Sequence, residues 1–276
     1  MRNTSAIVAL TKLSATAALA AFDTAPITGF ADFELTAKND AGTDPTLDVK
    51  LQDSEPAVRG YSMLTAGTTE TKLKTGAATL VKLAMTFTQT SAASIQQVGL
   101  KLRKIGTIAS GKKVTVEICA DSTGAPGTAL ASTTIDIDTA ISGAFGTVVA
   151  TFANPVDVAA EGVYHVVLSA DYTASSTNCA VVRSATVASG GTLQSFDGTS
   201  TWTAVTTEKV EAFVDQFVFA DITGGAFTQA TAAAVRQTKT LYAEAIRRYV
   251  RPVVTIGGTN SPAFYVGLDV VAQPRN

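Results

Sequence analysis

The stretch Leu47-Asp48-Val49-Lys50-Leu51-Gln52 alternates apolar and polar side chains, and the polar run Asp53-Ser54-Glu55-Pro56 follows it. Alternation with a period of two is typical of a β-strand that buries one face. Near the other end of the chain, Tyr249 to Ile256 has the composition of a second strand. We therefore predict that these two strands pair in one sheet, so that both ends of the chain form a single β-domain.

The segment between these two strands has a different character and predicts a domain of its own. Apolar runs of strand length recur in it at short intervals, separated by turn residues such as Asp121 to Gly127. Many short strands with regular turns are typical of an antiparallel sandwich. The predicted strands are Leu80–Phe87, Ile95–Leu102, Val114–Cys119, Ser132–Ile137, Val148–Phe152, Tyr164–Ser169 and Cys179–Val182.

The fold class that follows is all-β, with two β-sandwich domains of jelly-roll-like type. Residues 1–56 plus 218–276 form one discontinuous domain, and residues 57–217 form a second domain inserted into it. Asp197-Gly198 predicts a β-hairpin between Leu193–Phe196 and Thr201–Thr203, and Gly190-Gly191 predicts another turn.

Two segments near the C-terminus allow less regular structure. Ala230 to Ala245 is rich in alanine, the best helix former, so it favours a partial helix, although its threonines and the strand that follows weigh against one. Pro252 lies inside the strand predicted over Tyr249 to Ile256. Because proline lacks a backbone donor, we expect this strand to lie at a sheet edge or to carry a bulge.

Charge and composition exclude several classes of partner. The chain has 276 residues, a formal net charge of −2 and only 16% charged residues. Nucleic-acid-binding proteins usually carry a basic footprint, and anionic membranes recruit basic segments. We therefore expect no nucleic-acid partner and no membrane association.

Met1-Arg2 and the apolar residues after it mimic a secretory signal, but Lys12 interrupts the apolar core, so we expect no such signal.

The residues that could carry chemistry do not form a catalytic set. His165 is the sole histidine and lies in an apolar strand, where a structural role is the better interpretation. Cys119 and Cys179 lie in apolar runs and are interpreted as small buried side chains, with a disulfide left open. Asp136 and Asp138 would share a strand face, which favours solvated carboxylates over a calcium or glycosidase site. We expect no enzymatic activity, no catalytic or metal-binding residues and no cofactor.

Three further features remain open between a structural and a binding role. Arg247, Arg248 and Arg251 flank Tyr249, with Arg247 and Arg251 predicted on the face of Tyr249, and the cluster is either a solvated edge or a docking surface. Trp202, the sole tryptophan, is either a core residue or an exposed aromatic platform. Asp121 either caps its turn or contributes an oxygen ligand to a bound cation.

The paired phrases LDVKLQDS (residues 47–54) and IRRYVRPVVTIGGTNSPAFYVGLDVVAQ (residues 246–273) resemble a small all-β virion protein of tailed bacteriophages and prophages. Members of that family decorate heads or form accessory head structures. The resemblance implies a non-enzymatic structural protein on the surface of a phage particle, with the major capsid protein or other virion subunits as partners. For such a protein we expect a homo-oligomer, with a trimer as first choice, and the cluster of Arg247, Arg248, Tyr249 and Arg251 as the candidate interface. The long insertion departs from the family pattern.

The insertion carries a resemblance of its own. Val116 to Gly127 followed by Gly162 to Leu168 is similar to β-sandwich domains of surface and adhesion proteins, which often resemble carbohydrate-binding modules. The alternative function is therefore a host-surface or carbohydrate-binding adhesin or fibre module. In that case a host glycan is the partner, and Trp202 and Asp121 are the ligand-facing residues.

Overall fold

The computed structural model describes residues 3–19, 21–23, 30–55, 57–62, 67–74, 81–173, 175, 177–187, 192–198, 201–231, 234–242 and 246–273. The chain divides into two compact units. Unit 1 comprises Met1–Pro56 and Phe217–Asn276, and unit 2 comprises Ala57–Gln216.

Nearly every element in the described residues is a β-strand, and the strands pair in antiparallel sheets, which confirms the all-β prediction. The strands of unit 1 are β1 (Asn3–Leu13), β2 (Ala17–Ala18), β3 (Phe22–Asp23), β4 (Phe30–Ser54), β18 (Ala220–Ala226), β19 (Val235–Tyr242) and β20 (Tyr249–Gln273). The elements of unit 2 are β5 (Val58–Ser62), β6 (Thr69–Leu73), β7 (Lys82–Thr88), β8 (Ala93–Ile105), β9 (Lys113–Ser122), β10 (Ala125–Asp136), α1 (Ile137–Ala140), β11 (Gly146–Val158), β12 (Val163–Ala170), β13 (Cys179–Thr186), β14 (Leu193–Phe196), β15 (Trp202–Val205), β16 (Glu208–Val210) and β17 (Ala212–Phe217, whose last residue belongs to unit 1).

Unit 1 is built on one long antiparallel ladder between β4 and β20. The ladder runs from Ser54 opposite Tyr249 to Phe30 opposite Gln273, and it places Leu51 opposite Pro252. The predicted pairing of the two ends of the chain is therefore confirmed. Strands β1, β2 and β3 pair with β20, and β18 and β19 pair with β4, so these strands form one sheet.

The ladder is interrupted in its middle, where its register shifts between Gly257 and Phe264. At this point Gly42 and Gly258 adopt φ values of 107° and 117°, and Asp44 has a φ of 45°. Both halves of the ladder contribute buried side chains to one core, and bulges of this kind bend a sheet. The core residues come from alternate strand positions: Ala31, Phe33, Leu35, Ala37, Leu47, Val49, Leu51, Val250, Val254, Phe264, Val266, Leu268 and Val270.

Replacing Gly258 with alanine tests this bend. A side chain on Gly258 would lie 2.9 Å from the carbonyl oxygen of Asp44 and from Cα of Pro45, in a backbone conformation that L-residues rarely adopt. We expect Gly258→Ala to lower the free energy of unfolding by about 1–2 kcal/mol. Hydrogen exchange of peptides from residues 30–54 and 249–273 would measure the loss. Gly143→Ala, where a methyl group meets nothing within 4 Å, is the control, and equal effects of both variants would contradict the bend.

Pro252 does not lie in an edge strand, because β20 has neighbours on both sides. The carbonyl oxygen of Pro252 accepts a hydrogen bond of 3.0 Å from the backbone nitrogen of Leu19. A residue's nitrogen and carbonyl point to the same side of a strand, so the nitrogen of Pro252 faces the break between β2 and β3. The backbone N–H that Pro252 lacks would therefore point to the place where the neighbouring strand is interrupted.

The partial helix predicted over Ala230 to Ala245 is wrong for residues 235–242, which form β19. The side chains of β19 alternate between half-buried and exposed, and Val235 and Leu241 pack against the core of unit 1. Strand pairing with β4 therefore outweighs the helix propensity of the flanking alanines. Residues 232–233 and 243–245 lie outside the described residues.

Unit 2 packs two antiparallel sheets against each other. The first sheet, called sheet C here, has the order β10-β9-β12-β7-β14-β15, and the second has the order β16-β13-β8-β17-β5, with β11 on β8 and β6 on β13. A single core contains side chains from both sheets, such as Met85 and Ile118 from sheet C and Leu100 and Val181 from the other. This packing is that of a β-sandwich.

The hairpin predicted at Asp197-Gly198 is confirmed. Strands β14 and β15 pair with Phe196 opposite Trp202, and Gly198 adopts a φ of 91°. The turn predicted at Gly190-Gly191 lies outside the described residues.

Candidate functional site

The cluster predicted at Arg247, Arg248, Tyr249 and Arg251 lies at the start of β20 in unit 1. Tyr249 and Arg251 share the strand face that points away from the core. The ring of Tyr249 packs against Phe217, with ring centroids 5.0 Å apart, and Phe217 packs against Phe219 at 5.3 Å. The arginines therefore surround a small aromatic cluster.

Arg251 is buried, with only 6% of its surface exposed. Its Nε and Nη2 donate hydrogen bonds of 3.0 and 2.9 Å to Oε1 of Gln52, and its guanidinium lies 4.1 Å from the ring centroid of Phe219. A guanidinium held by two hydrogen bonds and an aromatic ring stabilises its own unit. Arg251 therefore contacts Phe219 and Gln52 within unit 1 and does not present its charge to solvent.

Arg247 does not share the face of Tyr249 as predicted, because it precedes the first residue of β20. Its Nε lies 3.2 Å from Oδ1 of Asp53, and its backbone nitrogen donates a hydrogen bond of 2.8 Å to Oδ2 of the same carboxylate. Asp53 is 6% exposed, so its carboxylate needs this charged partner. The sequence pattern missed this ion pair because the two residues are far apart in the chain.

Arg248 and its neighbours form the exposed part of the cluster. Arg248 is exposed, with its guanidinium 5.5 Å from the ring centroid of Tyr249, and 45% of Val218 is exposed. Phe219 and Tyr249 are half-buried. We call Val218, Phe219, Arg248 and Tyr249 the aromatic–arginine patch. Arginine and aromatic side chains are the types enriched at protein interfaces.

The patch continues into a polar network on the same face of the sheet. Nε2 of Gln52 donates a hydrogen bond of 2.7 Å to Oδ1 of Asp221, and Nζ of Lys50 lies 2.8 Å from Oδ2. These hydrogen bonds, first that of Lys50 and then that of Gln52, lower the pKa of Asp221. The carboxylate therefore stays ionised and fixes the amide of Gln52, which in turn holds Arg251.

Unit 2 contains a second polar cluster, centred on the fully buried His165. Its Nε2 lies 2.9 Å from Oδ1 of Asp121, and its Nδ1 lies 3.0 Å from Oγ1 of Thr86. Asp121 also accepts hydrogen bonds of 3.1 Å from the backbone nitrogen of Gly124. The hydrogen bond with His165, followed by that with Gly124, lowers the pKa of Asp121.

The order hydroxyl, imidazole, carboxylate resembles the arrangement of a catalytic triad. The surroundings favour a structural role instead. His165 has no exposed surface, and the hydroxyl of Thr86 is also within 3.3 Å of the amide nitrogen of Gln194. A nucleophile must be reachable by its substrate, and this hydroxyl is enclosed between two side chains. The structural interpretation of His165 therefore fits the geometry.

The tip of the β9–β10 hairpin covers this cluster. Thr123 and Gly124 form its two-residue turn, with φ values of 54° and 86°, as in a type I′ turn. The carbonyl oxygen of Gly124 accepts a hydrogen bond of 2.7 Å from Nε2 of Gln194, which lies on β14. Because β12 and β7 lie between β9 and β14 in the sheet, the tip folds across the face that points away from the core.

Trp202 lies on the same outer face, next to this cluster. It is half-buried against the small apolar side chains Ala84, Cys119 and Val167. Its ring centroid is 5.3 Å from that of Phe196, at an angle of 42°. Sequence reasoning singled out Trp202 and Asp121 but missed Thr86 and Gln194, because alternation alone does not show which strands are neighbours in a sheet.

Asp136 and Asp138 do not share a strand face. Asp136 ends β10 and caps the short helix α1, where its carboxylate accepts hydrogen bonds of 3.0 Å from the nitrogen of Asp138 and 3.2 Å from that of Thr139. Asp138 lies in α1 and forms an ion pair of 3.2 Å with Lys104. The prediction of a shared face is therefore wrong, because the chain turns at Asp136.

Cys119 and Cys179 are both buried and are not bonded to each other. Burial raises the pKa of the Cys119 thiol to about 11 and also raises the pKa of Cys179. Both side chains are thus unreactive thiols at neutral pH.

Across the described part of the chain, no group of three or more His, Cys, Asp and Glu residues is placed to hold a metal ion. Among the same residues, no helix has the length and apolar character needed to span a membrane.

Comparisons with known proteins identify no family for this chain. No family model matches the chain, and no curated protein matches it. Among solved structures, it is weakly similar to the Gx strain of infectious bursal disease virus, with 8% identity, a TM-score of 0.22 and coverage of 99% of this chain and 82% of that chain. The T=1 particles derived from the same virus give 8% identity, a TM-score of 0.24 and coverage of 100% and 78%.

The VP2 subviral particle of infectious bursal disease virus gives 7% identity, a TM-score of 0.20 and coverage of 100% and 80%. All three neighbours are thus virus or subviral particles. TM-scores of this size do not define a shared fold, so the functional argument rests on the residues of the chain itself.

Proposed function

We propose that this chain is a non-enzymatic structural virion protein that decorates or stabilises a bacteriophage head. Unit 1 anchors the chain to the shell, and unit 2 is an inserted domain carried on the particle surface. The observation that carries the proposal is the ladder between β4 and β20. The two phrases that resemble the phage family lie opposite each other in it, around a core of their own.

The proposed contact with the shell is the aromatic–arginine patch. Arg248 and Tyr249 lie at its exposed side. Arg251, which is hydrogen-bonded to Gln52, lies in the buried part next to Phe219. The exposed guanidinium of Arg248 is the charged group of the patch, and it suits an acidic surface of the major capsid protein. Many copies with modest interfaces would bind a shell tightly through multivalency. We also propose self-association around a symmetry axis, with a trimer as first choice.

The test is co-sedimentation of the full chain with shells of the cognate major capsid protein. We expect Arg248→Glu to weaken binding about tenfold or more, because reversing a charge in a complementary interface costs at least one favourable contact. Lys113→Glu, an equal charge reversal at an exposed position of unit 2, is the control and should bind normally.

Absence of binding by the native chain would reject the head location. Equal binding by both variants would reject the patch as the contact. Cryo-electron microscopy of intact particles gives an independent readout, because the proposal requires density on the shell and none that is confined to the tail.

A further inference from the structure

The second sheet of unit 2, which contains β8, β17 and β5, carries a cationic cavity on the face that points away from the core. We propose that this cavity, at Arg59, Lys101 and Phe213, is a docking site for an acidic peptide segment of a partner protein, which inserts a carboxylate side chain there. The proposal concerns unit 2 and does not depend on what unit 1 binds.

One wall of the cavity is a stack of an aromatic ring and a guanidinium. The ring of Phe213 occupies the space above Gly99 that a side chain would otherwise fill. The guanidinium of Arg59 lies 3.5 Å from the centroid of this ring, and its Nε donates a hydrogen bond of 3.1 Å to Oδ1 of Asp215. Arg59 is exposed, so the stack fixes the guanidinium in place and leaves its remaining donors facing a ligand.

Lys101 forms the opposite wall. It lies on β8 two residues after Gly99, so its side chain points to the same face of the sheet. Thr147 lies opposite Lys101 on β11. Arg59, Phe213, Lys101 and Thr147 line a surface cavity of about 150 Å³. A single water molecule needs only about 10–15 Å³, so this cavity has room for the carboxylate end of a side chain.

The charges around the cavity leave one cation without a counterion. The carboxylate of Glu211 also lines the cavity, but its Oε2 lies 3.4 Å from Nε of Arg183. Asp215 forms its ion pair with an arginine as well. Lys101, in contrast, has no ion-pair partner within the part of the chain that the structure describes. An incoming carboxylate would supply one, in a partly enclosed place where charges attract more strongly than in open water.

The surroundings of the cavity favour a peptide over a uniformly charged polymer. Arg103 pairs with Glu70 at 2.6 Å, and the guanidinium groups of Arg103 and Arg183 lie 5.3 and 5.5 Å from the ring centroid of Phe145. Val149, opposite Gly99, is 44% exposed. A polymer with a negative charge on every repeat would meet the carboxylates of this face, whereas a peptide can place neutral residues there. Arginine and aromatic side chains are also the types enriched at protein interfaces.

A titration of the isotope-labelled full chain with a deca-glutamate peptide, followed by NMR, tests the proposal. We expect saturable shift changes at residues 59, 99–101, 147 and 211–213, and none with a deca-glutamine peptide of the same length. Absence of saturable binding by deca-glutamate would overturn the proposal, and so would shift changes confined to other parts of the chain.

Variants locate the site. We expect Lys101→Glu to weaken binding of deca-glutamate tenfold or more, because it replaces the attracting charge with a repelling one. Lys113→Glu, the same charge reversal at an exposed position of sheet C, should bind as the native chain does. Unchanged affinity in Lys101→Glu, with its melting temperature intact, would overturn the assignment. If Lys101→Glu does not fold, the milder Lys101→Gln decides it, with an expected loss of threefold or more.

Other occupants give different results. Heparin or duplex DNA that binds more tightly than deca-glutamate, and loses that affinity in Lys101→Glu, would assign the surface to a polyanion and overturn the proposal. Self-association of the native chain that disappears in Lys101→Glu would assign it to a second copy, with the same consequence.

The capsid proposal and the peptide proposal can fail separately. Arg248→Glu should bind deca-glutamate normally, and Lys101→Glu should co-sediment with shells normally.

Discussion

Phe33→Ala is expected to lower the free energy of unfolding of unit 1 by about 3–5 kcal/mol, the usual cost of removing a buried phenylalanine ring. Phe33 has no exposed surface, and it lies on β4 between Lys239 on one side and Val270 on the other. Its ring fills the core that both halves of the bent ladder share. A cavity there removes packing contacts from this shared core.

Hydrogen exchange of peptides from residues 30–54 and 249–273, followed in increasing urea, would measure this loss in unit 1. Phe30→Ala is the matched control, because Phe30 lies on the same strand but is 52% exposed and contacts Tyr242 at 5.2 Å between ring centroids. We expect this control to cost about 1 kcal/mol or less. A Phe33→Ala effect as small as that of Phe30→Ala would contradict a core shared by both halves of the ladder.

His165→Leu is expected to lower the free energy of unfolding of unit 2 by about 2–4 kcal/mol, because it leaves two polar groups without their partner. The carboxylate of Asp121 loses its hydrogen bond with Nε2, and Thr86 loses its contact with Nδ1. Trp202 fluorescence during urea denaturation reports the transition of unit 2. Val163→Leu, on the same strand face and 38% exposed, should change the free energy by less than about 0.5 kcal/mol.

The same cluster predicts a pH dependence through Asp121. Its pKa is lowered in the folded chain, so its contribution to stability is complete above the ordinary aspartate value of about 3.9. That contribution is lost as the pH falls through the folded pKa. The gap in unfolding free energy between the native chain and Asp121→Asn should therefore be constant near neutrality and shrink in acid. A gap that stays constant down to pH 2 would contradict a charged Asp121 in this network.

Local patterns in the sequence were sufficient for several strands and one hairpin. Alternation in Leu47 to Gln52 and the turn residues Asp197-Gly198 predicted the right elements, because burial of alternate side chains and positive φ values are properties of short segments. The helix predicted around β19 was wrong because pairing with β4 determines that segment, and its partner is about two hundred residues away in the chain.

The candidate sites depended on long-range contacts that no local pattern contains. Arg247 meets Asp53, Arg251 meets Gln52, and Gln194 meets Gly124 only after the sheets have formed. Trp202 was identified as the sole tryptophan, and Asp121 by its place in a turn. The strand order of sheet C places Trp202 and Asp121 on one face, and no local pattern in the sequence predicted that strand order.

The long ladder of unit 1 also sets the point during synthesis at which this unit can close. Phe30 lies opposite Gln273 and Ser54 lies opposite Tyr249, so this ladder is complete only after residue 273 has been synthesised. Residues 30–273 therefore all have to leave the ribosome before the ladder closes, whereas most strands of unit 2 pair with strands that are closer to them in the chain. Chains that stop before residue 249 lack β20, so the proposed attachment through unit 1 would be reserved for copies that contain this strand.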